Sequence, residues 1–74
     1  MFKPTAAQIE TAIIEVLEDR IFRKGAQVIS VDVVRANLYR KFKQTIDCAA
    51  IHAEMKTSHL LNELPHNAFA PATH

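Results

Sequence analysis

Four residues with donor side chains stand in a row in the second half of the 74-residue chain: Cys48, His52, Met55 and His59. On a continuous helix they fall within about 60° of arc. Sulfur and imidazole both suit soft or borderline metals, and two such groups four residues apart can chelate. They cannot surround one ion, because Cys48 and His59 would stand roughly 16 Å apart at 1.5 Å per residue. At most this row offers a two-ligand site or one shared between chains. The plainer reading makes Cys48 and Met55 core filler and leaves His52 and His59 at the core boundary. No metal and no cofactor is expected.

Nucleophilic catalysis has less to stand on. Cys48 and His52 can meet across one helical turn, but a reactive thiolate also needs an electropositive setting and an oxyanion donor. Neither is visible. The chain holds one glycine, which rules out a glycine-rich phosphate loop, and it carries no HExxH pattern. The sequence does not read as an enzyme.

Charge placement says more than net charge, which is only +1. Between Arg20 and Lys43 lie Arg20, Arg23, Lys24, Arg35, Arg40, Lys41 and Lys43, seven of the nine Lys and Arg residues, against the single acid Asp32. That window carries +6 and leaves −5 for the remainder. Clustered Lys and Arg displace counterions condensed on nucleic acid, and an exposed Tyr39 offers a stacking face or a hydroxyl for phosphate. Arg20, Arg23, Lys24, Arg35, Tyr39, Arg40 and Lys43 are therefore the candidate nucleic-acid contacts. The plain alternative is a solvated amphipathic helix whose long cations lie over apolar neighbours.

Positioning these residues falls to helices. Thr5 stands three residues before Gln8, the spacing of a capping box, so a first helix begins near Ala6. Ile9, Ile13, Val16, Leu17 and Ile21 share one face of it, and Gly25 is its stop signal. Gln27-Val28-Ile29 reads as one short extended segment. Ser30 can cap a second helix carrying a Val31, Val34, Leu38 and Phe42 stripe, and Lys43–Ile46 is a connection ending at Asp47, the next cap. A third helix runs from Cys48 toward Leu64, where Pro65 stops it. If continuous, it is apolar on two faces; otherwise Thr57-Ser58 breaks it and caps a short fourth helix holding Leu60, Leu61 and Leu64. Both versions stay open.

The resulting expectation is an all-α, compact three-helix or four-helix domain over residues 1–65, followed by a loose tail over 66–74 from which Phe69 can dock. A helix, a short extended piece and two helices also resembles the opening order of a winged helix. That pattern needs a later hairpin, and none is expected here. The connection Lys43–Ile46 lacks the usual glycine, and the third helix offers mainly Lys56 and Asn62 to read bases. Family membership is not inferred.

No apolar run approaches the roughly 18 residues that span a bilayer, and MFKPTAAQIE lacks the layout of a signal peptide. A lone cysteine fits a reducing compartment. A cytoplasmic location without membrane contact follows as the expectation. Two functions compete. One is a small nucleic-acid-binding regulator, with DNA the favoured ligand, acting through helix 2 and the end of helix 1. The other is a protein-binding adaptor or inhibitor module that uses Ile51, Met55, Leu60, Leu61 and Leu64 on the third helix. A homodimer through that same face is compatible with either.

Overall fold

The structure, a computed structural model, describes residues 2–72. The capping box closes as its spacing requires: the Gln8 N–H donates to Thr5 Oγ1 at 3.1 Å and the Thr5 N–H donates to Gln8 Oε1 at 2.8 Å. Helix α1 spans Ala6–Val16 and continues directly as a π-helical segment, Leu17–Arg23. Gly25 then turns the chain at φ +76°, a conformation that a residue without Cβ adopts freely. Ile9, Ile13, Val16 and Leu17 are buried and Ile21 is half-buried against them, so the apolar face read from the sequence is the core face.

After strand β1 (Ile29–Ser30), Ser30 stands at the N-cap of α2 (Val31–Phe42), although its hydroxyl makes no capping bond. Val34 and Leu38 are fully buried; Val31 and Phe42 flank them half-buried. Lys43 ends the helix in the left-handed region, at φ 57° and ψ 33°. The glycine missing from this connection is replaced by a lysine held in a glycine-like conformation. Asp47 accepts the Ala49 N–H at 3.0 Å and opens α3, Cys48–Thr57. Backbone bonds from Phe2 to Thr45 and from Asp47 to Phe2 pin the connection, and the Phe2 and Phe42 rings lie 5.0 Å apart beside it. A left-handed non-glycine residue costs about 1 kcal/mol or somewhat more. Lys43→Gly should therefore raise stability in urea denaturation by about 1 kcal/mol, less the backbone entropy that glycine brings. A loss of stability would show that the Lys43 side chain contributes more than its strain costs.

The all-α expectation is wrong beyond Thr57. The helix does stop at Thr57-Ser58, but no fourth helix follows. Ser58 takes an extended conformation, and its hydroxyl accepts the Leu60 N–H at 3.2 Å. That bond turns the chain into strand β2, Leu61–Leu64, instead of capping a helix. Residues Pro65–Asn67 make a tight turn with His66 and Asn67 at φ 64° and 58°, and β3 (Ala68–Pro71) returns antiparallel. Ile29 pairs with Phe69 and Glu63 pairs with Phe69 from the other side, giving a three-stranded sheet of order β1-β3-β2. Pro71 is tolerated in the central strand because β1 reaches only Ala68 and Phe69, so no N–H is needed there on that side.

Three helices and this sheet form an α+β fold in the order α1-β1-α2-α3-β2-β3, closed by a β2–β3 hairpin that the sequence reading did not expect. The expected tail is corrected with it. Its described part, residues 66–72, supplies most of the hairpin turn and the central strand, and Phe69 is fully buried; Thr73 and His74 lie outside the described residues. One core joins Ile13, Leu38, Ile51, Met55, Leu61 and Phe69 from all these elements.

Candidate nucleic-acid interface

The cations that adjoin in sequence are divided by the fold. At 100° per residue, Arg35 and Arg40 lie about 140° apart around α2. Arg35 pairs with Asp32 at 3.9 Å, whereas Arg40 lines a groove of about 270 Å³ between α2 and the end of helix 1. Arg20 and Lys24 line the same groove, together with Glu15, Asp19 and Asn37. Tyr39, half-exposed, and Lys43 face outward.

The groove's two carboxylates are shared among cations. Asp19 lies 3.7 Å from Arg20, 3.8 Å from Arg23 and 3.5 Å from Lys24. These separations are long for hydrogen bonds, so the pairs are loose and solvent-screened. Glu15 accepts from Lys41 at 2.8 Å and from the Asn37 Nδ2 amide at 3.2 Å. Three cations, Arg20, Lys24 and Arg40, therefore line the groove with two carboxylates, which Arg23 and Lys41 also approach from outside its lining.

The Lys41 hydrogen bond, helped by that of Asn37, holds the Glu15 carboxyl below its usual 4.5. Because the folded value is depressed, this contribution to stability is present above the unfolded value and fades as pH falls through the folded one. Glu15→Gln should flatten the dependence of melting temperature on pH below about 4.5. An unchanged acid limb would mean that the Lys41 pair is frayed in solution.

Asn37 and Glu15, separated by 22 residues, were not among the expected site residues. A signal for Asn37 existed: it stands between Val34 and Leu38 on the buried arc of α2, where a polar residue needs a reason. No sequence signal joins it to Glu15.

The remaining candidates scatter. Cys48 is exposed at the start of α3, Met55 is buried and His52 sets its ring edge-on to Phe69 at 6.0 Å. His59 falls in the turn after the helix, so the row of donors does not exist as drawn. Among the described residues no group of three or more His, Cys, Asp or Glu is placed to hold a metal ion. Ile51, Met55 and Leu61 are core, Leu60 packs against it, and only Leu64 is exposed. The proposed protein-binding face is thus largely interior, and the two-faced helix that motivated a dimer ends at Thr57. A second cleft, of about 430 Å³, runs from the start of α2 past Cys48 and His52 to His66 and Asn67 of the β2–β3 turn, and none of its described lining residues is Lys or Arg. No helix among the described residues is long and apolar enough to cross a membrane. No family model, curated protein or solved structure matches the chain.

Proposed function

We propose that this domain binds nucleic acid, with the groove between helix 1 and α2 taking the phosphates. One arrangement carries the reading: Arg20 and Lys24 from the end of helix 1 meet Arg40 from α2 in a single groove whose carboxylates are outnumbered. Surplus cations on adjoining elements are what a phosphate backbone rewards, through release of its counterions. Lys43 and Tyr39 extend the surface outward along α2, the first with a charge and the second with a ring. The order of elements, which resembles that of a winged helix, agrees with this use but does not by itself argue for it, since folds host many functions. The exposed side of α3 presents Ala49, Ala53, Lys56 and Thr57, a set with little capacity to read base edges. Binding driven by phosphates and tolerant of sequence follows.

The test is a salt titration of a labelled 20-base-pair duplex. With three phosphates engaged, the slope of log K against log salt is about −2.7, and affinity falls roughly 40-fold between 50 and 200 mM salt. A slope shallower than about −1, or no binding at 50 mM, would sink the proposal.

A further inference from the structure

We infer that the groove between the π-helical end of helix 1 and α2 seats one nucleotide unit, its phosphate within the cluster of Arg20, Lys24 and Arg40, whose remaining cations take the flanking phosphates of a strand, and an N–H of its base against Asn37. This rests on the nucleic-acid reading and narrows it from a backbone contact to a nucleotide site.

Two observations beyond the charge surplus carry it. Asn37 is only 8% exposed, and while its Nδ2 donates to Glu15, its Oδ1 is buried with no donor among the described residues. The reverse amide orientation would set that oxygen against the Glu15 carboxylate, so the assignment is fixed by its neighbour. Buried amide oxygens ordinarily find a partner, and one left without a donor on a residue that lines a groove marks an unfilled acceptor. The second observation is the wall itself. Asp19 and Arg20 belong to the π-helical segment Leu17–Arg23, a rare backbone form concentrated at functional sites.

Neither half of a nucleotide answers both features. An inorganic anion matches the cations and leaves Asn37 Oδ1 unpaired; a base alone pairs Asn37 and leaves the cations unmatched. At about 270 Å³ the groove lies near the small end of ligand clefts, which run from roughly 300 Å³ upward, so it encloses one nucleotide, while the neighbouring phosphates of a longer strand or a duplex pass over the cations at its rim. The donor reaches Oδ1 by parting the side chains that close over it. The nucleotide can come as a free nucleoside monophosphate or as an unpaired residue within a strand.

The experiment follows the Asn37 side-chain amide and the Arg20 and Arg40 backbone amides of the ¹⁵N-labelled wild-type chain by NMR, with the Asn62 and Asn67 side-chain amides as internal references. Adenosine monophosphate should shift them saturably, with adenosine and inorganic phosphate each at least about tenfold weaker. A single-stranded oligo-dA that displaces the monophosphate makes the strand the source; binding without displacement makes the free nucleotide the ligand. Both results support the site. Equal affinity for inorganic phosphate, or no movement at Asn37, overturns it. If the monophosphate is silent while the duplex still binds with the steep salt slope, this inference fails and the nucleic-acid reading stands. If both are silent, both fail.

Discussion

Phe69→Ala leaves most of the chain unfolded at room temperature. The ring is fully buried between β1 and β2 partners, in edge contact with His52 and in the same core as Ile13, Leu38 and Met55. Truncating a buried phenylalanine typically costs about 3–5 kcal/mol, the lost transfer energy plus the cavity left behind. A single core in a chain of this size rarely supplies more than roughly 3–5 kcal/mol in total. The two quantities are comparable, so the substitution removes nearly the whole margin. Far-ultraviolet circular dichroism across a urea series measures it: the variant should show an unfolded baseline, or a midpoint near zero denaturant, where wild type shows a cooperative transition. A loss under about 1 kcal/mol would mean that the ring is not in the core and that residues 66–72 are the loose tail first expected of them.

Phe69 also shows where sequence reading stops. Helix 1 is legible because its signals agree: Thr5 and Gln8 cap it, and Ile9, Ile13, Val16 and Leu17 recur at helical steps over a long stretch. The hairpin is not. Leu61 and Leu64 stand three apart, which imitates a helix face, while in β2 only Leu61 turns inward. Ala68-Phe69-Ala70-Pro71 has a single strong strand former, and Pro71 argues against a central strand. Pairing decides in place of propensity: β3 gains hydrogen bonds from both neighbours once Pro65, His66 and Asn67 reverse the chain. His66 and Asn67 adopt left-handed conformations, tolerated by Asn and to a lesser degree by His. Without a glycine to advertise it, the turn leaves little trace in the sequence.

The candidate site was legible as composition and illegible as geometry. Clustering of cations between Arg20 and Lys43 is visible by counting. Which of them meet is a tertiary fact, set by α2 packing along α1 so that Arg40 crosses to Arg20 and Lys24 while Arg35 turns away. Asp19 and Glu15, which lie off the apolar stripe of helix 1, prove to be the anions around which those cations gather. The same packing takes Ile51, Met55 and Leu61 of the competing interface into the core, since the third helix ends at Thr57 and the segment after it becomes β2, with Leu64 left exposed.

Replacing Arg20, Lys24 and Arg40 together with alanine should nearly abolish duplex binding while leaving the fold intact. All three side chains lie at the surface, and the ion pairs of Arg20 and Lys24 with Asp19 are the loose, screened kind that contributes little to stability. Each lost phosphate contact lowers the salt slope by about 1 and, at 0.1 M salt, affinity by about eightfold, so the triple variant loses roughly 500-fold. Arg35→Ala is the control, because Arg35 faces away from the groove and already pairs with Asp32. It should leave the slope unchanged. If Arg35→Ala weakens binding as much as Arg40→Ala does, the phosphates run over the outward face of α2 and not through the groove. If the triple variant keeps the affinity and slope of wild type, the groove is a solvated seam between two helices and the nucleic acid, if bound, lies elsewhere.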